Sequence, residues 1–325
     1  LANHLFHAAG RAVGIFAPTI ALAVLALTAT SAHAQFTVVN LHHDGASATT
    51  AFGGSGAYQV GNSEVGATRI ASIWSGTGAS HLQLPSPGYN NSAAYGAWGD
   101  HQVGYIGNGS TVYRAALWNG PANPVIDLHP GGTYSTAFAV HGNQQVGVVT
   151  LGTSDRASIW TGSAASWQNV HPAAFASSSS LSGTSGDQQV GQVRLLTGGF
   201  VASLWTGTAE SWVDLNPVEG LESQANGVSG GQQVGMVRVI DGAPGQDLHA
   251  SLWSGTADSW VDLHPDLGPD NGGSEAYGVF DGQQVGMVSV GFWSHASLWS
   301  GSADSWVDLH ALLPDEFLSS TARSI

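Results

Sequence analysis

Tryptophan, histidine, aspartate and arginine recur in this chain at spacings that could carry chemistry. Four tryptophan pairs stand seven residues apart: Trp160 with Trp167, Trp205 with Trp212, Trp253 with Trp260, and Trp299 with Trp306. Indole rings at strand ends offer an apolar platform with a polar N–H, a surface suited to stacking on a sugar ring. A residue that returns in every copy of a repeat more simply serves contact between copies, so packing is the expected role. His42, His129, His171, His264 and His310 form a second series. Zinc needs its ligands within about 2.0–2.1 Å of one point. One His per copy, on an outer strand, is scattered around a rim instead, and Pro85 and Asn216 interrupt the series. No metal site is assigned there.

Arg114, Arg156, His249 and His295 stand four residues before a Trp, and Arg69 stands five before. A cation so placed can stack on the indole or pair with an acid, and in an acidic chain the surface pair is expected. Asp241, Asp247, Asp266, Asp270 and Asn271 lie in Gly-rich connections and carry the oxygen ligands that calcium takes, without the spacing of a calcium loop. Solvated turns are expected there. Asp214, Asp262 and Asp308 occupy the same place in their copies. Spread around a ring, they cannot meet as the two carboxylates of a glycosidase, which sit roughly 5–9.5 Å apart. No nucleophile with a base and no phosphate loop stands out. Catalytic, cofactor-binding and metal residues are left unassigned, and the chain reads as a non-enzyme without a cofactor.

The elements that position these residues are copies of one repeat. Ala250 to His264 and Ala296 to His310 differ only at Thr256 against Ser302. Each copy has four segments. Segment a is small and polar, with Ser92, Ser135, Ser179, Ser223 and Ser274 at its start and Ala94, Ala137, Ala225 and Ala276 two residues on. Segment b is Gln-Val-Gly, ending at Gly61, Gly104, Gly147, Gly191, Gly235 and Gly286, at spacings of 43, 43, 44, 44 and 51 residues. Segment c ends at Trp74, Trp118, Trp160, Trp205, Trp253 and Trp299, and segment d ends 11 residues beyond each of these. Short alternating segments bounded by Gly, Asp, Asn and Ser predict strands. The constant 11-residue span predicts a hairpin of fixed register, and length variation is confined to the b-to-c and d-to-b connections.

An all-β fold follows. Four-stranded antiparallel copies of 40 to 50 residues predict a β-propeller of six complete blades plus strands of an incomplete seventh; a parallel β-helix is the competing architecture. Small residues in segment a suit the crowded innermost position. Phe36 to His42 reads as a lone segment d, and Ser320 to Ile325 as a lone segment a. The expectation is a seventh blade cut short, with a closed six-blade ring as the alternative.

The 325 residues carry seven Arg, no Lys and 22 acids, for a net charge of −15. Nucleic acid is excluded as a partner, because that binding rests on Lys and Arg neutralising phosphates. Cysteine is absent, so neither a disulfide framework nor a thiolate metal site exists. Residues 1–34 join Arg11, an apolar run from Ala12 to Leu27, and Ala32-His33-Ala34. That pattern predicts a signal peptide cleaved after Ala34 and a secreted domain, 35–325, with no membrane insertion after cleavage.

The recurring Gly-Gln-Gln-Val-Gly, His-Ala-Ser-Leu-Trp and Val-Asp-Leu-His resemble the HAF-type repeats of bacterial extracellular proteins, some of which carry a PEP-CTERM sorting tail. The resemblance covers nearly all of residues 36–325 and implies an exported repeat protein. It departs from the tailed members at its end, Ile325, which carries no Pro-Glu-Pro signal. The functional expectation is a scaffold that binds a glycan or a cell-envelope partner. The alternatives are a carbohydrate-active enzyme with its site at a channel mouth, and a passive surface or matrix protein.

Overall fold

Each copy of the repeat folds as four antiparallel strands in the order a-b-c-d. In repeat 5 these are Glu222–Ser229, Gln232–Arg238, Leu248–Trp253 and Val261–Asp262. The computed structural model describes residues 38–109, 112–240, 248–268 and 272–325. The signal-peptide expectation for 1–34 lies outside the described residues, as do Asp241, Asp247, Asp270 and Asn271. Among the described residues no helix is long and apolar enough to cross a membrane.

The strands form one eight-stranded and four four-stranded sheets. The larger sheet holds repeats 1 and 2, joined by a single parallel bridge between Arg69 and Asn91. Pairing within every repeat is antiparallel, which overturns the β-helix alternative. The six a strands are Ala48–Ser55, Asn91–Trp98, Tyr134–His141, Ala176–Thr184, Glu222–Ser229 and Ser274–Phe280, and all six line one cavity. The repeats therefore stand around a common centre.

The Gln-Val-Gly motif has a physical reason at each position. The Gln side chain ties two turns together: Gln233 donates from Nε2 to the Gly231 carbonyl of the a–b turn (2.9 Å) and accepts at Oε1 from the Gly255 N–H of the c–d turn (2.7 Å). Gln59, Gln102, Gln145, Gln189 and Gln284 accept the corresponding turn N–H. The Val sits in the hydrophobic contact with the next repeat, as Val234 does. The Gly faces a β-bulge in strand a, such as that between Ala225 and Gly227. A Cβ at Gly235 would lie 1.9 Å from the Gln224 carbonyl oxygen, and at the other five glycines the same clash is 1.8–2.0 Å.

The c–d turn is also satisfied internally. Ser259 Oγ accepts from the Ser254 N–H (2.8 Å) and donates to the Thr256 carbonyl (2.6 Å), and Ser166, Ser211 and Ser305 do the same in their turns. These bonds hold the 11-residue span constant. Antiparallel order puts the a–b and c–d turns at one end of each sheet, and both variable connections, b–c and d–a, at the other.

The core lies in the seams between consecutive repeats. At the seam of repeats 5 and 6, Val234, Ala250, Leu252 and Leu263 meet Ala276, Val279, Val288 and Trp299. Four further seams are built alike around Trp118, Trp160, Trp205 and Trp253. Burying one indole contributes roughly 4–6 kcal/mol as an upper estimate. Packing therefore rests on one Trp per seam.

Two short segments flank the six repeats. His42 approaches Thr49 Oγ1 through Nδ1 (3.1 Å), and its N–H donates to Asn40 Oδ1 (2.8 Å), as His129 does with Ser135 and Asp127. Residues 320–325 lie beside the a strand of repeat 6: Ser320 Oγ accepts from the Ala296 N–H (2.9 Å), and a Cβ on Gly278 would stand 3.3 Å from Ser324 Cα.

Candidate functional site

The histidine series is placed at the seams. His129, His171, His264 and His310 each meet, through Nδ1, the Ser Oγ that opens the following segment a, at 2.7–2.8 Å. That Ser also accepts a backbone N–H from strand c of the preceding repeat: Ala115 N–H to Ser135 is 2.8 Å, and Ala250 N–H to Ser274 is 2.8 Å. The Ser hydroxyl donates to the imidazole and its lone pair takes the amide. Ser135, Ser223 and Ser274 are fully buried. A Ser–His pair that resembles a nucleophile and its base is therefore a hydrogen-bonded latch between repeats. Burial, with Arg114 nearby, holds His129 below the ordinary imidazole value, and burial with Arg156 nearby does the same for His171. Both stay neutral acceptors. Where Asn216 replaces His, its Oδ1 accepts from Ser223 Oγ at 2.6 Å.

The other sequence candidates also resolve into packing. Trp160, Trp205, Trp253 and Trp299 are fully buried in the seams. Their partners Trp167, Trp212, Trp260 and Trp306 pack against the same clusters and donate from Nε1 to Ser158, Ser203, Ser251 and Ser297 on strand c, at 2.9–3.0 Å. Arg114 pairs with Asp127, His249 with Asp262 at 2.7 Å, and His295 with Asp308 at 2.8 Å. Arg69 pairs with Glu64 (3.0 Å), and Arg156 donates to the Asp155 and Ser177 carbonyls. Asp214, Asp262 and Asp308 each accept the N–H two residues on. Asp266 accepts from the Gly268 N–H at 3.2 Å, as in an ordinary turn. No cluster of three metal-ligating side chains occurs among the described residues.

The residues that do converge lie at the bulge of each a strand. There the register skips one residue, and the skipped side chain turns toward the centre. Those residues are Phe52, Tyr95, Phe138, Ser182, Asn226 and Tyr277, with Arg323 continuing the series in 320–325; all seven line one cavity of about 480 Å³. Small residues fill the Ser and Ala positions of segment a, as expected, but they do not face the centre. The bulge hands that place to the next residue, which is large in most repeats.

The lining is two-sided. Phe52, Tyr95 and Phe138 form a continuous aromatic arc, with ring centroids 5.1 and 5.6 Å apart. Tyr105 stands behind Tyr95 at 5.8 Å, followed by Tyr113 and Tyr134. Burial raises the Tyr95 phenol well above its ordinary value, with Tyr105 adding to the effect. On the other side, Glu275 accepts from Asn226 Nδ2 at Oε1 and from the Tyr277 hydroxyl at Oε2, both at 2.9 Å. Asn226 Oδ1 accepts from Gln224 Nε2 at 2.8 Å. The Arg323 guanidinium lies over the Tyr277 ring, 4.8 Å from its centroid. Burial and then Glu275 raise the Tyr277 phenol, so it remains a neutral donor to that carboxylate.

Solved structures share this architecture. The propeller domain of the trilobed protease from Pyrococcus furiosus, described as having an open velcro topology, superimposes with a TM-score of 0.58 at 9% identity, over 81% of this chain and 83% of that one. The fold is a β-propeller. An acylaminoacyl peptidase from Pyrococcus horikoshii matches with a TM-score of 0.51 at 11% identity, over 82% of this chain and 45% of that chain. TolB from Acinetobacter baumannii matches at 0.46 and 11% identity, over 63% of this chain and 50% of that chain. The chain thus spans half or less of the latter two proteins. No family model matches the chain, and no curated protein does.

The latch and the inner ring were not readable as such from sequence. The signal for the latch was present: Ser at the start of segment a and His at the end of segment d recur together, and the His is absent where Asn216 stands. The inner ring gave a weaker signal, a position two or three residues before the last residue of each a strand, where the residue type varies among Phe, Tyr, Ser and Asn.

Proposed function

We propose that this protein is an exported, non-catalytic propeller scaffold that binds its partner, a glycan or a cell-envelope component, in the central channel. The observation that carries the reading is the inner ring. Seven side chains at one register position are of five types, Phe, Tyr, Ser, Asn and Arg, while the seams around them repeat, and they surround a cavity within the ~300–1,000 Å³ range of small-ligand sites. Among the described lining side chains Glu275 is the one carboxylate, and both of its oxygens are occupied by neighbours. Glycoside hydrolysis uses two carboxylates. That favours binding over the carbohydrate-active alternative.

The same reading takes the architecture as six four-stranded blades, with residues 38–42 and 320–325 as the d and a strands of a seventh position. Ser320 repeats the contacts of Ser274, and Ser324 reaches toward the Gly54 carbonyl at 3.5 Å, between the first and last a strands. Membership of the HAF-type repeat proteins, secretion and cleavage after Ala34 belong to this proposal and rest on the sequence patterns. A glycan array probed with the mature domain, alongside a polysaccharide hydrolysis panel, tests it. Binding without product release is expected. Product release that is lost in Glu275→Gln would overturn the non-catalytic reading.

A further inference from the structure

Accounting for donors and acceptors around the channel separates the groups that hold the wall from those left for a ligand. Glu275, Asn226 and Tyr277 satisfy one another, and the second Asn226 N–H goes to the Ala276 carbonyl at 2.9 Å. This acid is spent on structure. Arg323 is not. It stacks on Tyr277, and no carboxylate lies within ion-pair distance of it among the described residues; Arg156 and Arg194 also lack an acid partner there, but neither lines the cavity. In a chain with 22 acids and seven cations, an exposed arginine that lines the cavity without an acid partner leaves a place for an anion. Its planar fork matches a carboxylate bidentately. Ser182, at the same register position, makes no side-chain hydrogen bond among the described residues and adds a free hydroxyl. In the same cavity Phe52, Tyr95 and Phe138, their rings tilted 58° and 43° to one another, supply an apolar arc for the C–H face of a sugar.

We propose that the channel binds a single uronic acid unit, with the sugar's C–H face on the Phe52–Tyr95–Phe138 arc and its carboxylate on Arg323. This deepens the channel-binding reading and rests on it. Neither half of the cavity suffices alone. The aromatic arc would accept the apolar face of any sugar, and Arg323 any carboxylate; among glycan units their combination selects a sugar that carries a carboxylate.

The test is titration calorimetry of the full chain with methyl β-glucuronoside, methyl β-glucoside and benzoate, repeated on Arg323→Gln and on Arg194→Gln as a surface control. The glucuronoside should bind at least about 10-fold more tightly than the glucoside, a difference of about 1.4 kcal/mol. Arg323→Gln should reduce it to the level of the glucoside, and Arg194→Gln should change nothing. Arg323 is exposed and outside the strands, so an unchanged unfolding midpoint of the variant shows that the fold is intact. Equal binding of glucoside and glucuronoside, tighter binding of benzoate, an unaffected Arg323→Gln, or no heat from any probe overturns the inference. A glycan-array ligand that still binds Arg323→Gln would leave the scaffold reading standing and remove this one; an array silent to every glycan removes the glycan reading itself.

Discussion

The seams and the inner ring occupy equally regular places in this propeller, yet one repeats its chemistry and the other does not. At each seam a buried Trp, a Ser hydroxyl and, in most repeats, a His return in the same geometry. At the bulge of each a strand the backbone is equally regular, but the side chain runs through Phe52, Tyr95, Phe138, Ser182, Asn226 and Tyr277. A seam residue must fit a neighbour made from the same repeat, so identity is constrained by the fold. A bulge residue faces an open cavity, so packing against a neighbouring repeat does not fix its identity.

The contrast can be broken most forcefully at the seams. Trp253→Ala should cost about 3–5 kcal/mol, read as a fall in the denaturant midpoint, because the cavity left between repeats 4 and 5 cannot collapse against two sheets. Gly235→Ala should cost about 1–3 kcal/mol or prevent folding, since the new methyl meets the backbone carbonyl of Gln224 and only a shift of the bulge relieves it. Ser135→Ala strands the buried Ala115 N–H and removes the bond to His129, for about 1–3 kcal/mol in the same measurement.

A finer test uses pH. His129 and His171 have folded-state values below the ordinary 6.5, caused first by burial and then by Arg114 and Arg156 respectively; Asp127 opposes the shift at His129. Above pH 6.5 both are neutral in the folded and unfolded chain, and the latch contributes fully. As pH falls through 6.5 the unfolded chain takes up protons that the folded one resists, so stability is lost toward the lowered folded values. Urea midpoints measured from pH 8 to pH 5 should fall, and the slope should flatten in His129→Asn with His171→Asn. His129→Asn should also retain more stability at pH 8 than His129→Ala, because Asn216 already performs this role beside Ser223. The smallest effect belongs to the ring: Ser182→Ala should stay within about 0.5 kcal/mol of the parent. A loss comparable with Ser135→Ala would mean that the ring is structural too.

Strand assignment, the hairpin at the c–d turn and the propeller class were legible because each rests on local periodicity and constant spacing. The 11-residue span from Trp253 to His264 encloses a turn whose bonds come from its own Ser259 and from Gln233, so its length could not drift. The Ser–His latch was less legible, although both partners were visible, because it joins strands of different repeats. Asp241, Asp247, Asp270 and Asn271 fall outside the described residues, and the calcium question stays with sequence spacing.

By itself the sequence determined the repeat, its four-strand grammar, the acidic charge, and the expectation that Trp and His serve the copies and not a reaction. Those follow from patterns that local physics enforces: alternation for strands, Gly where a Cβ would strike a carbonyl, and fixed turn length. Only the tertiary structure decided which residues face the centre. A one-residue bulge in each a strand rotates a side chain by half the strand period, so Tyr95 and Tyr277 enter the channel while the neighbouring Ala94 and Ala276 stay in the seam. The meeting of seven distant segments around one cavity depends on how the repeats stand around a common centre, which no single repeat encodes.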